Sequence, residues 1–341
     1  MSTYRAFQVT GQRNFELVER EVAPPEPGHV RVRVDSCGVC HSDVLAVEGL
    51  RAAPERPVVP GHEVVGVVDA VGDGVTAWKP GDRVGVGFLG GQCNECESCR
   101  RGDFVNCTDQ PQPGTTEDGG YAEMVYVRAT GLVRVPDQLA ADVAAPLLCA
   151  GVTTFNALRA STAGPGALVA IQGIGGLGHL GVQYAKKLGY RVAAIARGPE
   201  KAELATALGA DHYIDSAAED PGAALAALGG AAAVVATAAS GSSMSPLVAG
   251  LRPRGQLVVV GAAPDPIEVN TADLIFGGRS IIGSLTGSAI ENEDNLAFAA
   301  ATGVSPMIEV MAFEEAPKAY AHMMSGQARF RVVLDVAGSL R

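Results

Sequence analysis

The chain has 341 residues, 47% of them hydrophobic and 18% charged, with a formal net charge of −11. That length exceeds one ordinary core and points to two domains, and the acidity argues against nucleic acid as a partner, since phosphates want basic patches. No apolar run approaches the ~18 residues of a membrane helix, and the start Met1-Ser2-Thr3-Tyr4-Arg5 lacks a signal-peptide core, so the expectation is a cytoplasmic protein with no membrane partner.

Residues 1 to about 90 read as β-rich, with short valine-rich strands at Val30–Val34, Val64–Val71 and Arg83–Val86 between Pro/Gly turns such as Pro24-Pro25, Pro60-Gly61 and Lys79-Pro80-Gly81-Asp82. The first of these strands runs into Cys37-Gly38-Val39-Cys40-His41-Ser42-Asp43, which packs a thiol, an imidazole, a hydroxyl and a carboxylate at a strand end. Further on come Gly61-His62-Glu63 and Leu147-Leu148-Cys149-Ala150-Gly151. Cys40, His62 and Cys149 are expected to hold one zinc ion. Two thiolates and one imidazole leave a fourth position open, the pattern of a catalytic site. The rival reading makes Cys37 and Cys40 a Cys-x-x-Cys redox pair, although such pairs normally sit in a small fold with its own βαβ context.

Four of the seven cysteines lie together in Cys93-Asn94-Glu95-Cys96-Glu97-Ser98-Cys99 and at Cys107. The spacing lets four thiolates surround one ion and leaves no site for water, so the lobe (91–108) is read as a structural zinc site. A [4Fe–4S] cluster is the alternative; the bacterial ferredoxin pattern ends in Cys-Pro, whereas Thr108 follows Cys107 here. Asp118-Gly119-Gly120-Tyr121-Ala122-Glu123 then reads as a turn into a strand at Met124–Arg128, and Asp142–Leu148 as a helix delivering Cys149.

From Gly151 the pattern alternates strand and helix. The apolar run Ala167–Ile171 is followed at once by Gly173-Ile174-Gly175-Gly176-Leu177-Gly178, then by Leu177, Leu180, Tyr184 and Leu188 at helical spacing and a second strand over Arg191–Ile195. A bare GxGxxG is weak evidence, but one between a strand and a helix marks a dinucleotide site: the glycines permit a tight turn and bring backbone N–H groups to a pyrophosphate at the helix N-terminus. The competing reading is an ordinary glycine-rich turn. Further strands near His212–Ile214, Ala233–Ala236, Leu257–Val260 and Ser280–Ile282 make about six, which suits a doubly wound parallel sheet, and Ala223–Ala233 reads as helix and loop. From about Ser284 helix and strand resume, ending in Arg331-Val332-Val333-Leu334-Asp335-Val336. The fold class is therefore α/β, with a discontinuous first domain over 1–150 and 286–341 and a nucleotide domain over 151–285.

Five motifs in this order resemble the zinc-dependent alcohol dehydrogenases of the medium-chain dehydrogenase/reductase superfamily: Cys40-His41-Ser42-Asp43, Gly61-His62-Glu63, the four-cysteine lobe, Cys149-Ala150-Gly151-Val152-Thr153 and Gly173–Gly178. The microbial tetrameric and cinnamyl-alcohol-type branches look most similar. The resemblance implies a GroES-like catalytic domain, a Rossmann domain, one catalytic and one structural zinc per chain, and a homodimer or homotetramer paired near Ser280–Ser284. It implies Cys40, His62 and Cys149 as catalytic zinc ligands, Glu63 as an exchanging ligand, Asp43 as the partner of the second His62 nitrogen, and Ser42 as the group that bonds the substrate oxygen and passes its proton on. His41 and Arg331 fit the cofactor-phosphate positions, and Thr153, Gly173, Gly175, Gly176, Leu177, Gly178 and Gly261 complete the cofactor set. Plain alternatives are a turn role for Asp43 and a solvated strand charge for Arg331. His29, His179, His212 and His322 match nothing in the pattern.

Two departures matter. Where many members carry a histidine three residues beyond the Ser/Thr, this chain has Leu45; where the second nucleotide strand usually ends in an Asp that bonds the ribose, it has Ala196, followed by Arg197. Losing the carboxylate removes repulsion against a 2′-phosphate, and Arg197, helped by Lys201, can bind one. The expectation is NADP, with NAD as the alternative. The implied reaction is reversible hydride transfer between a primary, aromatic or secondary alcohol and the nicotinamide; Ala46-Val47-Glu48-Gly49-Leu50 lacks the tryptophan that narrows the pocket of ethanol-preferring relatives. The alternatives are a reductase of C=N or C=C bonds on the same scaffold and a non-catalytic NADP-binding sensor. Ser42 and the complete ligand set argue against both.

Overall fold

Alternation of β-branched and polar residues builds the first sheet of the computed structural model, which describes residues 2–50 and 56–340. A hairpin of β1 (Thr3–Val9) and β2 (Phe15–Glu21) leads into β3 (His29–Val39), β4 (Glu63–Val71), β5 (Arg83–Val86), β6 (Met124–Arg128) and β7 (Leu132–Arg134). Along β3 the valines Val30, Val32 and Val34 face the core while Arg31 and Arg33 point outward. The strand's last residues are buried on both faces, so Cys37–Val39 enter the core directly before Cys40. The antiparallel register with β4 sets Gly38 opposite Glu63.

The helix Ala141–Pro146 ends on a proline whose missing N–H interrupts the α ladder. A wider π turn follows at Leu147–Gly151, and then the helix Val152–Ala160. Contrary to the sequence reading, this 20-residue run is long and apolar enough to cross a bilayer, yet 83% of its most apolar window is buried within the protein, as in a core helix.

Residues 150–286 form a unit of their own. Its strands β8 (Leu168–Gln172), β9 (Arg191–Ala196), β10 (His212–Asp215), β11 (Ala231–Ala236), β12 (Leu251–Val259) and β13 (Ser280–Gly283) pair in parallel in the order β10-β9-β8-β11-β12-β13. β8 and β11 are buried along their whole length, as central strands covered on both faces must be. The order reverses beside β8, which makes its carboxyl end the switch point of a doubly wound sheet. The alanine-rich stretch resolves into the helix Pro221–Ala227, capped by the Asp220 side chain, and the start of β11.

Residues 1–149 and 287–341 make up the other unit. After a capping box at Ser288 and Glu291 the helix Ala289–Thr302 begins, followed by β14 (Ile308–Ala312) and β15 (Arg331–Asp335). The late strands join the early ones in the order β14-β15-β3-β4-β5-β7, with β6 also pairing β3. β15 runs antiparallel to β3, with Val333 opposite Gly38.

Candidate metal centre and glycine loop

Three separate backbone devices bring the expected metal ligands together. Cys40 stands at the end of β3 as cap of the short turn His41–Asp43, its N–H donating to Asp43 Oδ2 at 3.0 Å. His62 follows Gly61, whose φ of +100° suits only glycine, and where a Cβ would strike the Tyr121 ring at 2.5 Å. Cys149 sits in the π turn, a geometry common at functional sites. The carbonyl of Leu147 at the start of that turn accepts from Asn295 Nδ2 at 3.0 Å, a clamp contributed by the late helix.

The ligand atoms of Cys40, His62, Glu63 and Cys149 lie within 4.8 Å of one another and all four residues are buried. The two sulfurs are 3.8 Å apart and both cysteines are free. His62 Nε2 and Glu63 Oε2 are buried without a hydrogen-bond partner. Such orphans are costly unless a cation takes them up, and two sulfurs with an imidazole suit zinc, so the residues fit the ion. The thiol of Cys149, donating to Cys40, holds the Cys40 pKa well below its ordinary value and raises its own. Burial opposes charge on His62, but Cys40 and Asp43 outweigh it and lift its pKa well above the usual value.

Asp43 Oδ1 lies 3.0 Å from His62 Nδ1, a contact close in distance though off the line of the N–H. Phe88 meets the imidazole edge-on, with ring centroids 5.2 Å apart. Ser42 is half-buried in the same turn and His41 is exposed. Arg331, the residue matched to a cofactor phosphate, is buried, and its Nη2 donates to Glu63 Oε1 at 2.5 Å. Glu63 is the hydrogen-bond partner of its side chain among the described residues, and Nε has none. Burial pushes the Glu63 carboxyl up to about 8 against the opposing pull of Arg331. Cys37 points elsewhere: its sulfur fills the space beside Gly61 and Gly120, and burial raises its thiol pKa, the reverse of a redox cysteine.

In the lobe the ligand atoms of Cys93, Cys96, Cys99 and Cys107 also lie within 4.8 Å of one another. Backbone N–H groups of Glu95 and Cys96 point at Cys93 Sγ, each at 3.4 Å, and the N–H of Cys99 at Cys96 Sγ, at 3.5 Å. Donors of this kind favour thiolates; that of Cys99, with Thr108, lowers the Cys96 pKa to about 6.

The second unit holds the glycine loop. Gly173 leaves β8 with a φ of +89°, and a Cβ on Gly178 would lie far inside contact distance of the Gly173 carbonyl oxygen. A Cβ on Gly175 would meet nothing, so the space over the loop is open, as the close approach of a pyrophosphate would require. Leu177 caps the helix Gly178–Lys187, and Gly176 lies in the turn before it. His179, which the sequence reading set aside, is buried and braces the loop, its Nδ1 lying 2.8 Å from the Gly175 carbonyl oxygen. Lys201 Nζ donates to the Ile174 carbonyl at 2.7 Å. Arg197 is exposed beyond β9, in a turn fixed by the Gly198 N–H donating to Asp215 Oδ1 at 2.7 Å. Thr153 is buried in its helix, and Gly261 packs so closely that a Cβ would sit 2.3 Å from the Ala238 carbonyl oxygen.

A buried Cys–Cys–His–Glu set with orphaned donors, in one chain with a parallel sheet and its glycine loop, defines a zinc-binding, nucleotide-dependent dehydrogenase. Residues 26–137 match the family described as alcohol dehydrogenase GroES-like domain, and residues 176–299 the one described as zinc-binding dehydrogenase. The chain is 44% identical over 337 residues to the alcohol dehydrogenase patD of Penicillium expansum, covering 98% of each chain. Among solved structures it resembles a cinnamyl alcohol dehydrogenase of Sorghum bicolor (TM-score 0.89, 35% identity, 99% of this chain and 98% of that one). It also resembles the protein described as CAD from Helicobacter pylori, complexed with NADP(H) (TM-score 0.85, 26% identity, 98% of each chain). The chain belongs to the zinc-dependent alcohol dehydrogenases of the medium-chain dehydrogenase/reductase superfamily.

Proposed function

We propose that this alcohol dehydrogenase works with NADP(H) in preference to NAD(H), and that its substrates extend to aromatic and secondary alcohols and the matching aldehydes and ketones. The observation that carries the cofactor choice is the end of β9, where Ala196 replaces the expected acid and the exposed Arg197 follows in a turn pinned by Asp215. An acid at that place would repel a 2′-phosphate; a guanidinium fork attracts it. The NADP(H) complex of the Helicobacter pylori relative agrees with this reading.

A zinc ion at this site would supply Lewis-acid polarisation, and a nicotinamide cofactor would supply hydride chemistry. The remaining work falls to this chain's side chains. Cys40, His62 and Cys149 would hold the ion, with Glu63 as the exchanging donor. Asp43 fixes the His62 tautomer so that Nε2 faces inward. Ser42 bonds the substrate oxygen and hands its proton toward water, because Leu45 offers no further relay. His41 and Arg331 assist with the cofactor phosphates. Glu48 is engaged elsewhere, its Oε1 accepting from Arg13 at 2.6 Å and Tyr320 at 3.0 Å.

Kinetics with both cofactors over a panel of aldehydes test the proposal. NADPH should win, and Arg197→Ala should lower kcat/KM for NADPH by about 10- to 100-fold, the worth of a charge-assisted contact, while leaving NADH unchanged. An NADH preference indifferent to Arg197→Ala would refute it. The enzyme is also proposed to be a homo-oligomer paired through the outer strand β13. Ile281 there is 37% exposed, and Ile275 and Phe276 of the helix Thr271–Gly277 are 72% and 89% exposed; an open apolar strand edge needs covering. Size-exclusion chromatography with light scattering should show an oligomer that Phe276→Glu dissociates, and a monomeric wild type would end the idea.

A further inference from the structure

Behind the metal centre lies a side chain with no part in the chemistry so far. Tyr121 is fully buried, among the largest buried side chains of the protein, and its hydroxyl donates to Asp43 Oδ2 at 2.9 Å. The same oxygen accepts from the Cys40 N–H at 3.0 Å, and the other oxygen, Oδ1, faces His62 Nδ1 at 3.0 Å. One carboxylate therefore sits between a phenol, the backbone of one metal ligand and the ring of another.

The geometry points to Tyr121 as a positioning residue for the catalytic metal, acting through Asp43 on His62. This inference rests on the zinc reading of Cys40, His62 and Cys149. A carboxylate held at Oδ2 by a single N–H can still pivot about its Cγ–Cβ bond, whereas two donors from different directions fix its plane. With that plane fixed, Oδ1 is kept beside Nδ1, its negative charge favours the proton on Nδ1, and the Nε2 lone pair faces the ligand cluster. Burial, then the neighbouring Asp43 charge, push the phenol pKa well above its ordinary value, so the hydroxyl is a donor at every working pH.

The segment that carries Tyr121 also holds the backbone just ahead of His62. Its N–H donates to the Pro60 carbonyl at 2.9 Å and that of Gly120 to the Gly61 carbonyl at 2.9 Å, while the ring fills the space that the absent Gly61 side chain leaves. The pair Gly120-Tyr121 thus sets both the backbone before His62 and the carboxylate of Asp43.

Tyr121→Phe deletes the hydroxyl and keeps the ring. The test compares, on the full-length zinc-loaded protein, the rate at which a chelator removes the catalytic ion and the visible spectrum after that ion is exchanged for cobalt. Expected are release about 10-fold faster, at the low end for a lost supporting contact, a changed cobalt spectrum, and unchanged release from the four-cysteine lobe. In an Asp43→Ala background, which leaves no side-chain oxygen to accept from the hydroxyl, the same substitution should change neither readout, since its route to the metal is already cut. Val64→Ala, a cavity in the same hydrophobic cluster, serves as the packing control and should leave the spectrum as it is. Wild-type release and spectrum in Tyr121→Phe, or an effect of equal size with and without Asp43, would overturn the role of Tyr121 alone. A wild-type protein that binds no ion at Cys40, His62 and Cys149 would overturn the zinc reading together with it.

Discussion

Gly38 offers a sharp test of the buried charges around the metal centre. A Cβ placed there would lie 2.0 Å from Glu63 Oε2 and 3.0 Å from both Cβ and Cδ of that residue. Ordinary contact begins near 3.4 Å, so the carboxylate would have to retreat by more than an ångström. It has no free route, because Glu63 is fully buried and its other oxygen holds Arg331 at 2.5 Å. Gly38→Ala should therefore break the Arg331–Glu63 pair. Breaking a buried pair costs about 3–5 kcal/mol. A carboxyl already pushed to about 8 can shed part of that cost by keeping its proton, which favours the lower end, roughly 3 kcal/mol. The assay is urea unfolding followed by the fluorescence of Trp78, the single tryptophan, which belongs to the same hydrophobic cluster as Val64 and Tyr121. In a Glu63→Ala/Arg331→Met background the cost of Gly38→Ala should fall below about 1 kcal/mol, since interacting sites are not additive. A Gly38→Ala protein within about 0.5 kcal/mol of wild type, the scatter of harmless substitutions, would refute the reasoning. So would an undiminished loss in the double-variant background.

Gly178→Ala should disrupt the glycine loop, because the new methyl would collide with the Gly173 carbonyl oxygen, a backbone atom that cannot swing aside. Fluorescence titration with NADPH should show affinity reduced at least about 10-fold, the worth of 1.4 kcal/mol; unchanged binding would mean that the loop does not hold the cofactor. Asp265 makes a pH prediction. The N–H groups of Ser242 and Gly241 donate to its carboxylate at 2.7 and 2.9 Å and lower its pKa from 3.8 to about 2. A depressed carboxyl stabilises the fold above the unfolded value and loses that contribution as pH falls through the folded one. Asp265→Asn should thus be less stable than wild type at neutral pH, with the two melting curves converging as pH falls from about 4 to about 2. A gap that stays constant over that interval would refute this account.

Much of the fold shows in local pattern, because its signals are short-range. The apolar run before Gly173, the helical spacing after it and the cysteine spacing of the lobe are each complete within a few tens of residues. The expected zinc ligands at positions 40, 62 and 149 are far apart, but each sits in a motif of distinctive residue types. Tyr121 had no such flag: it lies in a Gly-Gly-Tyr turn, and its partner Asp43 is 78 residues away. Asn295 is polar on the buried side of a helix, and with Asn292 one turn earlier it could have been flagged as facing something other than solvent. Pro146 just ahead of Cys149 was a visible sign that the helix could not continue regularly. The hairpin β1–β2 went unnamed because Glu16, Glu19, Arg20 and Glu21 obscure the alternation of its second strand. The contact between Arg331 and Glu63 depends on strand pairing between opposite ends of the chain, which no local pattern encodes.

The pairing of β15 with β3 bears on how the molecule is made. Residues 150–286 are contiguous and can fold as soon as they leave the ribosome, since domains generally fold as units during synthesis. Arg331 emerges only after all of them. Until then Glu63 lacks its guanidinium partner, and the last stretch of β3 before Cys40, Ser36–Val39, has no neighbour on one edge, although β6 already covers His29–Arg33. The nascent protein thus passes through a stage with a finished nucleotide half and an unfinished metal half, and in that interval its exposed strand edge is open to chaperones and proteases.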